Sequence, residues 1–168
     1  MQNRKVTFSS AASAMLLLCV ASCDSPQEGE VGGTITIQEA NQRLEGYIQQ
    51  AKTALPASAV LVLRGQSKEA PCDDPSDNGP KGRVVADRGY QVTGLAAAGI
   101  SEYFSALRSW AQNNNYQVLQ EKQNPQYLWL ERRDDGFRLA LDSNESGELY
   151  LNGSSPCVWR NGTPEPTS

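Results

Sequence analysis

Residues 116–152 constrain the fold more than any other stretch. Four strand-like segments, 116–121, 127–133, 137–142 and 148–152, follow one another across short turns: Gln-Asn-Pro-Gln, Asp-Asp-Gly and Ser-Asn-Glu-Ser-Gly. A parallel pair needs a crossover of a dozen or more residues, so strands joined this closely pair antiparallel. Asp135-Gly136 is a strong hairpin signal in its own right. Two helices precede these strands. Ile37, Ala40, Leu44, Tyr47, Ile48, Ala51 and Leu55 fall at helical spacing over 37–55, and Pro56 ends the run. Thr36 and Glu39 form a capping box at its start. Ile100, Tyr103, Phe104, Leu107, Trp110 and Ala111 give a second amphipathic helix over 97–113, stopped by Asn113-Asn114-Asn115. Between the helices, 59–64 (AVLVLR) reads as a short apolar strand and 65–82 as a turn-rich loop. Residues 83–93 read as a strand with Val84, Ala86, Tyr90 and Val92 on one face. The order α-β-β-α-β-β-β-β predicts a two-layer α+β domain, an antiparallel sheet with both helices on one face.

The N-terminus is organised differently. Arg4 and Lys5 precede an apolar run, residues 11–21, too short to span a bilayer and suited to the core of a secretory signal. The run ends in Val20-Ala21-Ser22-Cys23. This tetrapeptide resembles the lipobox of bacterial lipoproteins. The resemblance implies removal of residues 1–22, diacylglyceryl modification of Cys23, and a place on the outer face of the cytoplasmic membrane. Two acyl chains satisfy the two-signal requirement for stable anchoring. No basic patch is available to help, since losing Arg4 and Lys5 leaves a chain more acidic than its formal charge of −4. Residues 23–33 then read as the lipidated cysteine and a flexible tether. Residues 34–160 read as the domain and 161–168 as a disordered tail.

Of four cysteines, Cys19 lies in the expected signal and Cys23 carries lipid, leaving Cys72 and Cys157. Two thiols in an exported chain are expected to form one disulfide. There is no Cys-x-x-Cys, so a redox-active or metal-bound pair is the weaker reading. The plan of tether, compact α+β domain, single disulfide and a Ser-Pro-Cys157-Val158-Trp159-Arg160 segment resembles small uncharacterised exported lipoproteins of actinobacteria. That resemblance carries over no catalytic residues.

Composition excludes several functions. The chain has no histidine, which removes Ser-His-Asp and Cys-His catalysis and histidine zinc sites. Its acidic balance is the opposite of a nucleic-acid footprint. Asp74, Ser76, Asn78 and Gly79 match positions of a calcium loop, but Val85 stands where the bidentate Glu belongs. Gly65-Gln66-Ser67-Lys68-Glu69 starts like a nucleophile elbow and lacks its last Gly. Asp134 and Asp135 are adjacent turn formers rather than carboxylates flanking a cleft. No cofactor is expected.

The aromatic residues are the better lead. Tyr127 and Trp129 share one face of their strand, and Leu128 and Leu130 share the other. Both faces are apolar, yet two helices cover only one. Either Tyr127 and Trp129 lie in the core, or an aromatic patch faces outward. Exposed aromatic patches mark binding sites. Trp159, next to Cys157, is expected to pack near the same region. The expected function is a non-enzymatic, membrane-anchored binding or scaffolding domain of the cell envelope, monomeric, with a protein, glycan or lipid partner. The alternative is a small envelope hydrolase using carboxylates.

Overall fold

The computed structural model describes residues 33–64, 69–72 and 80–164. All of them belong to one compact unit, Val31–Ser168. Two helices, α1 (Ile37–Lys52) and α2 (Ile100–Asn113), lie on a six-stranded antiparallel sheet. Its strands are β1 (Val60–Leu63), β4 (Asp87–Thr93), β5 (Tyr116–Gln123), β6 (Gln126–Arg132), β7 (Arg138–Ser143) and β8 (Leu149–Ser154), in the spatial order β1-β4-β8-β7-β6-β5. A small second sheet pairs β2 (Ala70–Pro71) with β3 (Val84–Val85). The α+β class, the antiparallel pairing and the bond between Cys72 and Cys157 are as the sequence predicts.

Helix α1 begins at the capping box. The Thr36 hydroxyl accepts from the Glu39 amide, and the Glu39 carboxylate accepts from the Thr36 amide at 2.8 Å. The helix ends three residues before the predicted position. Pro56 disfavours helical geometry in the residue before it. The chain tightens first, with the Thr53, Ala54 and Leu55 amides donating to carbonyls three residues back. Ala40, Leu44, Ile48 and Ala51 are fully buried against the sheet. Closest approach is at Gly153 of β8, where a β-carbon would lie 2.8 Å from Leu44 Cδ1 and 3.2 Å from Ile48 Cδ1. Helix α2 packs over β5 and β6, burying Phe104, Leu107 and Ala111. Asn115 takes φ 63° after it, the left-handed step expected of an Asn terminator.

Two departures from the expected outline have local causes. The strand predicted over 83–93 breaks at Ala86, whose amide donates to Ser155 Oγ and whose carbonyl accepts from the Ser155 amide. Val84, Ala86, Tyr90 and Val92 are nonetheless all buried. The short apolar strand expected over 59–64 forms as β1 and lies at the edge of the sheet: Val60 is 54% exposed and Val62 46%. The end of the domain also lies beyond residue 160. Gly162 is buried, donates to the Trp159 carbonyl and accepts from the Thr34 amide, so the expected disordered tail does not start at 161.

The disulfide holds the same end of the molecule. Cys72 and Cys157 are bonded with Cα atoms 5.8 Å apart. Beside them the Val84 and Val158 amides each donate to the other's carbonyl, and the Arg160 carbonyl accepts from the Ile37 amide. The start of α1, the disulfide and the chain's last described turn therefore form one cluster at the end of the sheet where β4 begins and β8 finishes.

Candidate binding face

Both helices lie on the side of the sheet that carries Leu128 and Leu130, which are fully buried. Strand alternation then places Tyr127 and Trp129 on the opposite, helix-free side, where both are half-buried. Of the two arrangements the sequence left open, the structure adopts the outward patch.

The ladder registers show what surrounds them. Trp129 stands opposite Ala140 of β7, Ala140 opposite Asn152 of β8, and Asn152 opposite Gly89 of β4. One step along, Tyr127 stands opposite Asp142, and Asp142 opposite Tyr150. Small residues on either side of Asn152 make a shallow trough. At Gly89 a β-carbon would lie 2.8 Å from Asn152 Oδ1, so a side chain there would displace the Asn152 amide. That amide donates to Asp142 Oδ2 at 2.6 Å.

Each aromatic ring on this face has a cation over it. Arg138 lies 5.2 Å from the Trp129 ring centroid, Lys122 lies 5.8 Å from Tyr127, and Arg64 lies 4.9 Å from Tyr150. Arg138 also donates to Glu131 at 2.8 Å, which holds the Glu131 carboxyl below its usual range. Two other carboxyls are shifted the opposite way. Burial raises Asp142, although the Asn152 hydrogen bond opposes it, and burial raises Asp87. Two concavities lie here. A shallow one of about 80 Å³ is lined by Trp129, Arg138, Ala140 and Asn152. A groove of about 420 Å³ runs beside Tyr127 and Asp142, walled by Lys122, Gln120 and Pro125.

The two raised carboxyls of this face, Asp87 and Asp142, stand well apart. Asp87 pairs with Ser154 and Asp142 with Tyr150, four residues apart on β8. At ~3.4 Å per residue this separation is ~14 Å along the strand. Carboxylate pairs in glycoside hydrolysis stand ~5–9 Å apart.

Trp159 does not join the face, contrary to the sequence expectation. It is buried, its ring packs beside Gly82, and its amide donates to Thr34 Oγ1 at 2.8 Å. The disulfide and the clamp to Thr34 draw it into the far end of the domain. The walls of the two concavities contain no part of it. Conversely, Arg64, Lys122, Arg138, Asp142, Tyr150 and Asn152 were not singled out from the sequence. The signal for Arg138 and Asp142 was the alternation on β7, where Arg138, Ala140 and Asp142 interleave with Leu139 and Leu141.

Asp134 and Asp135 serve the hairpin. Arg132 pairs with Asp134 at 2.9 Å and with Asp135 at 3.2 Å. The Tyr47 hydroxyl of α1 donates to Asp135 at 2.6 Å, which ties the helix to the β6–β7 turn. The calcium-like residues Asp74, Ser76, Asn78 and Gly79, and Ser67 of the elbow-like stretch, lie outside the described residues. Cys23 does as well. Among the described residues no three His, Cys, Asp or Glu side chains gather as a metal site, and no helix is long and apolar enough to cross a membrane.

Compared with protein-family models, with curated proteins and with solved structures, the chain matches none.

Proposed function

We propose that this chain is a lipid-anchored extracytoplasmic lipoprotein. Its folded part acts as a non-enzymatic binding or scaffolding domain, and the helix-free face of the sheet is its contact surface. The observation that carries the reading is the outward placement of Tyr127 and Trp129 beside Asp142 and Asn152, each ring with a cation over it. Leaving large aromatic side chains partly in water forgoes part of the ~1.5–3 kcal/mol that burial of such a side chain brings. Contact with a partner recovers it. The ring faces and the amide and carboxylate beside them suit a protein, glycan or lipid headgroup of the envelope.

Export is supported by the lipobox-like Val20-Ala21-Ser22-Cys23 and by a single disulfide, a bond that persists outside the cytosol. The geometry also suits a tether. Thr34 is held at the disulfide end, whereas Tyr127 and Asp142 lie at the other end of their strands. The point where the chain enters the domain and the Tyr127 groove are therefore at opposite ends of the sheet.

The test has two arms. Mass spectrometry of the membrane-extracted protein should find Cys23 as a diacylglyceryl-modified N-terminus; an unmodified Cys23 refutes the anchor. Native-membrane pull-down with the wild type and with a Tyr127→Ala/Trp129→Ala variant should differ in the partners retained. Identical partners refute the binding face.

A further inference from the structure

The two edges of the six-stranded sheet are finished differently. Strand β5 is guarded in the ways natural edges are. It carries a bulge between Val118 and Gln120, its Glu121 pairs with Arg108 of α2, and Lys122 sits near its end. Strand β1 has none of these. Its sequence is Val-Leu-Val-Leu, without charge, proline or bulge, and its pairing with β4 is regular. Val60, Val62 and Leu63 are 54%, 46% and 49% exposed. A regular, uncharged and apolar edge is a template for another strand.

The hydrogen-bonding groups on that edge are identifiable. The Arg64 amide donates to Gly89 in β4 at 2.9 Å. Antiparallel pairs alternate between bonded and non-bonded residues. Arg64, Val62 and Val60 therefore direct their backbone groups at β4. Leu61 and Leu63 direct theirs away from the sheet, and no partner for them is found among the described residues.

We propose that β1 pairs antiparallel with β1 of a second copy of this chain, with Val62 facing its symmetry mate across a two-fold axis perpendicular to the sheet. This goes beyond the expectation of a monomer, and it does not depend on the binding face or on the lipid. The register follows from two requirements. Such an axis keeps the helix-covered sides of both sheets together, so residues that face each other across it share a side. Centring it at Val62 sets Leu61 opposite the mate's Leu63, and Leu63 opposite the mate's Leu61. Every outward amide and carbonyl of β1 then finds a partner. Centring it at Leu61 pairs Leu61 with itself and sets Leu63 opposite Ala59, whose amide already donates to the Pro56 carbonyl. In the Val62 register no like charges meet: Val60 faces the mate's Arg64, and that guanidinium is turned over the Tyr150 ring. The result is one continuous sheet of twice the strands, with the aromatic faces of both copies on the same side.

One four-residue edge buries less than the ~800 Å² per partner of a standard interface. The dimer is accordingly weak in dilute solution and favoured where copies are crowded.

The full chain tests this by register-specific cross-linking. Facing residues of a non-bonded antiparallel pair have Cα atoms ~4.5 Å apart, within the ~4.4–6.8 Å of a disulfide. Under mild oxidation Val62→Cys should give a disulfide-linked dimer of the chain, and Val60→Cys, displaced by two residues from the axis, should not. Sedimentation should show a dimer fraction rising with concentration in the wild type. It should fall roughly tenfold or more in Val62→Lys, where like charges face each other, and persist in Val118→Lys on the opposite edge. Equal melting temperatures for these variants separate lost pairing from lost folding. Cross-linking at Val60 but not Val62, capture of a different polypeptide by Val62→Cys, or a monomer at every concentration would each overturn the proposal.

Discussion

The guanidinium of Arg138 lies 5.2 Å from the ring centroid of Trp129, on the side of the sheet that neither helix covers. Directly behind Trp129 in the strand, Leu128 and Leu130 are fully buried beneath the helices. One strand thus contributes a core face and a surface face, and substitutions on the two should separate cleanly.

Leu130→Ala should cost ~2–5 kcal/mol, because it leaves a cavity under the helices. Trp129→Ala should cost less. It removes a half-buried ring and a cation–π contact worth ~0.5–1 kcal/mol at an exposed site. Chemical denaturation of the two variants measures the contrast. A Trp129→Ala protein destabilised as much as Leu130→Ala would make the ring a core element and remove the residue-level support for binding.

Asp142 gives a pH dependence of defined sign. Burial raises its pKa from the ordinary 3.8. As pH rises, the unfolded chain releases this proton before the folded one does. Stability is therefore lost across the interval from about 3.8 up to the folded value, and the loss persists above it. Asp142→Asn keeps an acceptor for Asn152 and removes the charge. It should be more stable than wild type at neutral pH, with the difference vanishing below pH ~3.8. Melting curves across that range read it directly, and a variant less stable at neutral pH would contradict the assignment.

Gly153 sets how closely α1 approaches β8. Gly153→Ala places a methyl 2.8 Å from Leu44 Cδ1 and 3.1 Å from Leu139 Cδ2. Overpacking of this kind costs ~1–3 kcal/mol. The melting temperature should fall, and Leu44→Ala in the same chain should relieve part of that particular clash. Strict additivity of the two substitutions would show that the glycine is not there for the helix.

Removing the disulfide should destabilise the chain strongly. The bond closes a separation of 85 residues, for which the chain-entropy relation gives ~4–5 kcal/mol. Cys157→Ala should melt lower than the wild type, and reduction of the wild type should lower its melting temperature similarly. Identical melting in oxidising and reducing buffer would contradict a stabilising role.

Most of the architecture was legible because it rests on periodicity. The helical spacing from Ile37 to Ala51, the capping box at Thr36 and the short turns after residue 116 are local patterns, and the structure keeps them all. What was not legible depends on tertiary contacts. AVLVLR reads as an apolar strand, but periodicity records apolar character and not position in a sheet; pairing on one side only leaves β1 at the edge. The break at Ala86 needs Ser155, 69 residues away, to supply its bonds. Trp159 is expected near the Tyr127 and Trp129 patch, and the clamp through Thr34 and Cys157 draws it to the other end of the domain instead. For the binding face, the pair Tyr127 and Trp129 was readable from alternation. The side they take was not, because Leu128 and Leu130 were equally suited to the core.

The central claim is that the helix-free face meets a partner in the cell envelope. Covalent footprinting of aromatic side chains tests it without knowing that partner. Oxidative modification of Tyr127 and Trp129 is measured by mass spectrometry in intact envelopes and in the purified full chain, with Tyr103 on the helix side as the internal reference. The account predicts that Tyr127 and Trp129 are protected several-fold in the envelope while Tyr103 is modified equally in both. Equal modification of Tyr127 and Trp129 in both preparations would contradict it.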